Sequence, residues 1–207
     1  MSEELFGEIL AIPDFPKSRS ITGIGMSDSD IYAVPLSKKF SYINTYYHKE
    51  PGLDITSLNN QMINSSNFVI SSDVFEHVPP PINKAFDNLF KVIKKDGVCI
   101  FSVPYIKNGT TKEHFPDLFE HNILEKTSGK VLVNKTKDGI TQIFENLRFH
   151  GGGGATLEMR VFSESSLIDD ITRAGFTDIK LHNENIPDYG IFVDDDQNSL
   201  VISFHKN

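Results

Sequence analysis

The stretch that decides the fold is residues 67–104, NFVISSDVFEHVPPPINKAFDNLFKVIKKDGVCIFSVP. Its first six residues, 67–72, form an apolar run without polar alternation, which is typical of a strand buried on both faces of a parallel sheet. Three prolines then open a helix whose apolar residues recur at helical spacing, with Lys94 and Lys95 in its last turn. A second apolar run, residues 98–103, predicts the next strand. A strand, a helix and a strand in this order form a right-handed βαβ unit with parallel strands.

The same alternation continues toward both ends of the chain. Upstream, the patterns predict helices and short strands, with Asp28 or Ser29 as the cap of the second helix; the segments are a helix at 3–11, a strand at 20–25, a helix at 31–40 and strands at 41–47 and 53–55. Downstream, the turn KDG separates two β-rich runs and predicts a hairpin. A final helix capped by Ser163 and an antiparallel pair of closing strands follow; the segments are 130–134, 140–144, 163–174, 176–182 and 199–204.

Length and composition restrict the class of protein. The chain has 207 residues, which predicts a single domain (1–207) with residues 105–160 as an insertion or cap. The formal net charge of −8 argues against nucleic-acid binding through phosphate neutralisation. The single cysteine, Cys99, excludes an intramolecular disulfide and is expected to be a buried thiol. With no signal-peptide pattern and no apolar run of the ~20 residues that a membrane helix needs, we predict a cytoplasmic protein without membrane contact.

Two blocks of sequence resemble the class I S-adenosylmethionine-dependent methyltransferases. In the first, Glu76-His77 follows a strand, and Lys95-Asp96-Gly97 ends the next helix before another strand. In the second, the phrase at residues 160–163, RVFS, enters the final helix and Ala174-Gly175-Phe176 leaves it. The stretch 23–55 is similar to methyltransferase type 11-like proteins associated with bacterial glycosyltransferases. The resemblance implies a Rossmann-like, doubly wound, mostly parallel α/β sheet with an antiparallel edge strand and a β-hairpin insertion.

The resemblance also implies a site for S-adenosylmethionine. Its predicted residues follow the first four strands and are Gly23, Gly25, Met26, Asp28, Thr45, Asp54, Ile55, Ser72 and Asp73. Two family features are weakened, because Ser27 replaces the third glycine of the loop and Thr45 stands where a carboxylate binds the ribose hydroxyls. A carboxylate accepts two hydrogen bonds at once, whereas threonine offers one hydroxyl. The acid that precedes the glycine loop in the family is also missing, and Asp28 is open to two interpretations, a substitute for that acid or a helix cap.

Two histidines are candidate general bases, because an imidazole titrates near neutral pH. His77 follows the fourth strand, and His114 lies in a polar segment of the insertion, the region that often covers the acceptor site in this family. His77 equally fits a role in tying its loop to the next helix. No metal site is predicted, since Pro116 disfavours the helix that Glu113, Asp117 and His121 would need. His150 with Gly151–Gly154 is interpreted either as the hinge of a lid or as a plain loop.

The favoured function is therefore methyl transfer from S-adenosylmethionine to an oxygen of a small molecule or carbohydrate. The alternative is a catalytically inactive methyltransferase-fold protein that acts as a binding or scaffold partner, which the weakened loop and missing acid would suit. Expected partners are the acceptor and, by the resemblance, a second copy in a homodimer or a glycosyltransferase. A nicotinamide-dependent oxidoreductase fits poorly, because Asp28 stands where the last glycine of GxGxxG belongs.

Overall fold

The computed structural model describes residues 1–127, 129–150, 156–194 and 199–207. The helices are α1 (Ser2–Phe6), α2 (Asp30–Lys39), α3 (Asn83–Val92) and α4 (Glu164–Arg173), with 3-10 turns at Ile12–Asp14, Asn60–Met62, Phe75–His77 and Pro187–Tyr189. The strands are β1 (Ser18–Met26), β2 (Phe40–Thr45), β3 (Ser66–Ser72), β4 (Ile93–Ser102), β5 (Tyr105–Ile106), β6 (Lys112–Glu113), β7 (Glu120–Lys126), β8 (Gly129–Lys135), β9 (Thr141–Phe144), β10 (Phe149–His150), β11 (Thr156–Leu157), β12 (Arg160–Ser163), β13 (Thr177–His182) and β14 (Val201–Lys206).

The centre of the molecule is a six-stranded sheet in the order β13-β14-β4-β3-β1-β2. Strands β1 to β4 pair in parallel, and β14 runs antiparallel to both of its neighbours. The predicted mostly parallel α/β fold and the antiparallel closing pair are therefore confirmed. The strand that runs against the rest is β14, which lies one place in from the edge.

Helices cover both faces of this sheet, as a doubly wound fold requires. Along β3, Phe68 and Ile70 face a core cluster that includes residues of α2, whereas Val69 faces a larger cluster with residues of α3 and α4. Successive side chains of a strand point to opposite faces, so an uninterrupted apolar run supplies both clusters at once. Burying each such side chain contributes about 1.5–3 kcal/mol, which makes this apolar run the main determinant of the fold.

Two predicted elements, the first helix and the third strand, differ from the structure. The first helix ends at Phe6 because Gly7 adopts a left-handed φ of 74°, so the prediction of a helix to residue 11 is wrong. The strand predicted at residues 53–55 is also wrong. Only one isolated bridge, from Tyr46 to Gly52, joins this segment to the end of β2. The next residues turn away because Oδ1 of Asp54 accepts the backbone N–H of Thr56.

The junction between α3 and β4 also differs from the prediction. The helix ends at Val92, so Lys94 and Lys95 lie in β4 and Lys91 is the basic residue of the last helical turn. Ile93 is fully buried and already pairs with Ser66 of β3. The register then shifts before Val98, around Asp96 with a φ of 61°. An apolar residue at this junction satisfies the helical and the strand pattern equally, which is why the sequence misplaces the boundary.

Residues 105–163 leave the central sheet and build small sheets of their own, in the orders β5-β12-β6, β7-β8-β9 and β10-β11. The predicted hairpin is confirmed as β8 and β9, with Gly139 at a φ of 81° in its turn. Strand β7 extends it to three strands and was not predicted. Cys99 is fully buried in the core, as expected, and burial raises the pKa of its thiol. Among the described residues, no helix combines the length and apolar character needed to span a membrane.

Candidate active site at the carboxyl edge of the sheet

The sheet has a topological switch point between β1 and β3. From β1 the chain crosses to β2 on one side, whereas β3 pairs with β1 on the other. Open α/β sheets bind ligands in the crevice beyond the carboxyl ends of such strands. Ser27 follows β1 there and is exposed, and Ser72 and Asp73 at the end of β3 are exposed as well. This edge is therefore accessible from solvent.

Gly23 and Gly25 have packing roles in β1. A Cβ at Gly23 would overlap the ring of Phe68, and one at Gly25 would overlap the Tyr42 hydroxyl and the Asp28 carboxylate. Phe68 and Tyr42 belong to the core cluster under α2, so both glycines let that face of the sheet pack closely. Their contact with a cofactor stays a prediction.

Asp28 is buried beside Gly25 in a network that belongs to the protein itself. Its Oδ2 accepts the Tyr42 hydroxyl, and its Oδ1 accepts the Tyr32 hydroxyl at 3.2 Å. Burial raises the pKa of Asp28 to about 6, although both hydrogen bonds act to lower it. The α2 cap is Ser29, whose side chain accepts the N–H of Ile31, so Asp28 does not cap this helix.

The end of β2 is also closed by internal hydrogen bonds. Thr45 is buried and donates its hydroxyl to the Gly25 carbonyl at 2.7 Å, while its own carbonyl accepts the N–H of Ser27. Asn44 bonds the backbone of Asp28 through both ends of its amide. The turn after β1 is thus fixed by β2 side chains. The Thr45 hydroxyl is already hydrogen-bonded within this turn, and its contact with a cofactor stays a prediction.

Asp54 lies just beyond the end of β2, since the backbone N–H of Leu53 donates to the Tyr46 carbonyl. Its Oδ1 accepts two hydrogen bonds from Thr56, and Oδ2 has no partner among the described residues. One carboxylate oxygen therefore remains for a donor on a ligand. Ile55 and Met26 are buried in the core cluster that contains α3 and α4, so they form the apolar floor behind the edge.

Ser72 and Asp73 close β3 on the same edge. The Ser72 hydroxyl lies 2.9 Å from that of Ser102 at the end of β4. Asp73 has a φ of 52° and donates its N–H to the Ser102 carbonyl, which turns the chain sharply away from the sheet. Both residues thus lie at the accessible rim where the sequence predicts them.

His77 ties the turn after β3 to the insertion. Its Nδ1 lies 2.9 Å from the Leu157 carbonyl, and its Nε2 lies 3.7 Å from Oε1 of Glu76. Glu76 is fully buried, and neither carboxylate oxygen has a hydrogen-bond partner within the described part of the chain. Burial raises the pKa of Glu76 to about 8. His77 thus has a structural contact, but with the insertion and not with the next helix, as the sequence interpretation had it.

His114 is linked by backbone hydrogen bonds to the turn after β3. Its backbone N–H donates to Met159, whose N–H in turn donates to Glu76. Its Nε2 lies 2.6 Å from Oε1 of Glu158, and both side chains are mostly buried. The ring also lines a pocket of about 110 Å³ with Phe115, Phe144, Glu145, Asn146, Leu147 and Arg148. A carboxylate that accepts the Nε2 proton leaves Nδ1 as the basic nitrogen, which is the arrangement of a His–carboxylate pair in acid–base catalysis.

Arg160 joins the insertion to the turn after β3 through hydrogen bonds. The sequence analysis did not predict this role. The side chain is fully buried; Nε donates to Glu113 at 2.7 Å, and Nη1 donates to the carbonyls of Phe75 and Val78. Nη2 has no partner among the described residues. The only signal in the sequence is a lone arginine that opens the RVFS phrase.

The predicted residues fall into two groups along one edge. Gly23, Gly25, Met26, Asp28, Thr45, Asp54 and Ile55 lie at β1 and β2, and Ser72, Asp73, His77 and His114 lie at β3 and the insertion. The proposed hinge at Gly151–Gly154 lies outside the described residues, as does the His150 side chain.

Solved structures of methyltransferases share this architecture. An S-adenosylmethionine-dependent methyltransferase from Clostridium acetobutylicum matches with a TM-score of 0.52 at 11% identity, covering 89% of this chain and 83% of that one. The 1,6-didemethyltoxoflavin-N1-methyltransferase of Burkholderia thailandensis, solved with S-adenosylhomocysteine, matches with a TM-score of 0.52 at 12% identity over 93% and 72% of the two chains. A sugar N-methyltransferase from Streptoalloteichus matches with a TM-score of 0.51 at 7% identity over 90% and 81%.

No protein-family model matches the sequence, and no curated protein matches it. At these identities the likeness concerns the fold alone. The strand order, the two helical layers and the structural neighbours agree with the fold implied by the sequence. The chain therefore has the fold of the class I S-adenosylmethionine-dependent methyltransferases.

Proposed function

We propose that the protein binds S-adenosylmethionine across the carboxyl ends of β1 and β3 and transfers its methyl group to an oxygen of a small molecule or carbohydrate. The observation that carries the proposal is the exposed switch point between these strands, in a fold shared with methyltransferases. Ser27, Ser72 and Asp73 border it from two neighbouring strands. A crevice at this position is where open α/β sheets hold nucleotide-like ligands.

The residues at this edge fit an adenosyl group. Oδ2 of Asp54 is an acceptor without a partner among the described residues, which suits an amino donor such as that of adenine. The Tyr42–Asp28 pair fills space on the α2 side of the sheet, behind the exposed edge. Because the Thr45 hydroxyl is committed to Gly25, the ribose loses the bidentate contact that a carboxylate would supply. We therefore expect weak binding, with a dissociation constant above about 10 µM.

The proposed general base is His114. When bound, S-adenosylmethionine supplies an electrophilic methyl group, so the protein must orient the acceptor and remove its hydroxyl proton. Glu158 accepts the Nε2 proton of His114 and fixes the ring, leaving Nδ1 to take up the acceptor's proton. Glu158 is therefore a positioning residue. His77, whose Nδ1 faces the Leu157 carbonyl, is better suited to hold the turn after β3.

Partners and location remain part of the proposal. The exposed rim and the pocket beside His114 suit a small molecule or a single sugar. Association with a glycosyltransferase or a second copy rests on the sequence resemblance, whereas the cytoplasmic location rests on the sequence patterns alone.

Calorimetric titration with S-adenosylmethionine tests cofactor binding. We expect one site per chain, and Asp54→Asn should weaken binding about tenfold by removing a charged acceptor. Asp138→Asn, in the exposed hairpin turn, is the matched control and should bind like the parent protein. If millimolar S-adenosylmethionine gives neither heat nor thermal stabilisation, the proposal fails. The alternative, a methyltransferase-fold binding or scaffold protein, would then be preferred, because a ligand of the folded state must stabilise it.

The chemical step needs a separate assay. Release of S-adenosylhomocysteine is measured with a panel of phenols, alcohols and monosaccharides. With an accepted substrate, His114→Gln should reduce the rate by about 10²–10⁴-fold while leaving cofactor affinity unchanged. His121→Gln, on β7 of the same insertion, is the control. An unchanged rate in His114→Gln would remove His114 from the mechanism without affecting the binding result.

A further inference from the structure

Four potential metal ligands from opposite ends of the chain meet beside the β13–β14 end of the sheet. Glu3 and Glu4 belong to α1, His182 ends β13 and His205 lies on β14. Lys180 and His182 share one face of β13, because side chains alternate along a strand. They pair with Ser203 and Val201 of β14. The first helix packs its carboxylates against this face.

Three of these residues, Glu3, Glu4 and His182, have potential ligand atoms close together, and His205 adjoins them through Glu4. Nε2 of His205 lies 2.8 Å from Oε2 of Glu4, and Nε2 of His182 lies 3.7 Å from Oε1 of Glu4. One ligand atom each from Glu3, Glu4 and His182 lies within 4.8 Å of the others. In a tetrahedral zinc site with bonds of about 2.0–2.2 Å, neighbouring ligand atoms lie about 3.3 Å apart. To reach that spacing, Nε2 of His182 would exchange its 2.8 Å hydrogen bond with the Ser203 hydroxyl for the metal.

Burial and charge favour a cation at this place. The side chains of Glu4, His205 and His182 are only 13%, 21% and 24% exposed, which limits competition from water. Lys180 now contacts Glu3 at 2.8 Å. The Glu3 carboxylate therefore already attracts one positive charge, that of the Lys180 ammonium.

We propose that Glu3, Glu4, His182 and His205 form a zinc site that fastens α1 to the β13–β14 pair. Imidazole and carboxylate are the donors that suit Zn²⁺, and a site closed by protein ligands is typical of a structural metal. Zinc would take the place of the hydrogen bond between His205 and Glu4 and displace the Lys180 ammonium from Glu3. The site is independent of methyl transfer. Sequence spacing could not predict it, because residues 3–4, 182 and 205 meet only in the fold.

Equilibrium dialysis of the chelator-treated full-length protein against zinc chloride, followed by metal analysis, tests the site. We expect one zinc per chain, with affinity about tenfold or more lower in His182→Gln and in His205→Gln. His121→Gln, which changes a histidine far away on β7, should bind like the parent. Lys180→Met should bind zinc several-fold more tightly, since it removes the competing cation. Equal affinity in all four variants would overturn the proposal.

Zinc-edge X-ray absorption of the unmodified protein keeps the test valid if a variant fails to fold. The proposal predicts two imidazole ligands and oxygen donors. Retention of no zinc at about 100 µM, well above structural-site affinities, would overturn it, and so would a spectrum without imidazole ligands. In either case the cluster would be an ion-pair clamp between α1 and the sheet.

Discussion

The two halves of the carboxyl edge differ in whether their buried polar groups are hydrogen-bonded. Around β1 and β2, the polar side chains are satisfied internally: Asp28 accepts Tyr42 and Tyr32, and Thr45 donates to Gly25. Around β3 and the insertion, both oxygens of Glu76, Oγ of Ser71 and Nη2 of Arg160 have no hydrogen-bond partner among the described residues. Buried polar groups are normally paired, and exceptions concentrate at functional sites.

The β1–β2 half is therefore a preformed support, whereas the β3 half is a region under strain. The β1–β2 half holds its turn rigid without a ligand, so it is suited to present a fixed surface. The β3 half contains a buried carboxyl and a buried guanidinium group that are incompletely satisfied, beside the proposed base His114. Such a half stores unfavourable energy where the acceptor would be handled. Three substitutions test the contrast, beginning with the largest expected effect.

Arg160→Met should destabilise the protein most. It removes the buried cation that joins Glu113 to the turn after β3, and breaking a buried ion pair costs about 3–5 kcal/mol. Urea unfolding monitored by circular dichroism measures the free energy of unfolding. Arg148→Met, at an exposed position, should stay within about 0.5 kcal/mol of the parent. Equal stability of the two variants would show that Arg160 does not hold the insertion.

Glu76→Gln should change how stability depends on pH. Burial raises the pKa of Glu76 from its ordinary value of 4.5 to about 8, so between these pH values the folded state retains a proton that the unfolded state loses. Burial of the Glu76 carboxyl therefore costs little stability below pH 4.5, where the group is protonated in both states. It lowers the free energy of unfolding increasingly as the pH rises toward 8. Relative to the parent, Glu76→Gln should gain about 2–4 kcal/mol between pH 5 and pH 9. A pH-independent difference would contradict this; Glu120→Gln, at an exposed site, is the control.

Tyr42→Phe should have the smallest effect of the three. It removes one donor to the buried Asp28 carboxylate while Tyr32 remains, so we expect a loss of about 1–2 kcal/mol. Tyr47→Phe, at a position that is 66% exposed, should be neutral in the same thermal unfolding measurement. If the pair only supports the turn from the α2 side, affinity for S-adenosylmethionine should change by less than about twofold. A large change in affinity would place Tyr42 in the binding surface.

The fold could be predicted because its strands and helices are specified by short stretches of sequence. The apolar runs around residues 67–104 and the caps of α2 and α4 specify buried strands and helices without knowledge of distant contacts. Residues 53–55 misled the prediction because a short apolar–acid–apolar triplet fits a strand, whereas Asp54 initiates a turn. The rim residues were predictable from strand ends.

The chemistry of the site was less predictable because it depends on contacts between distant segments. Gly23 and Gly25 match a cofactor loop by sequence, yet their space is occupied by Phe68, Tyr42 and Asp28. Burial of Glu76 and the reach of Arg160 to the turn after β3 depend on how the insertion folds back. Arg160 and the Phe75 carbonyl that it bonds are 85 residues apart in the sequence, and no local pattern predicts such a contact.

A crystal structure of the protein grown with S-adenosylhomocysteine tests the central claim most directly. We expect an adenosyl group across the carboxyl ends of β1 and β3, with its amino group at Oδ2 of Asp54 and the Tyr42–Asp28 pair undisturbed behind it. A ligand bound anywhere else on the chain, or an edge that stays empty at saturating ligand, would contradict it.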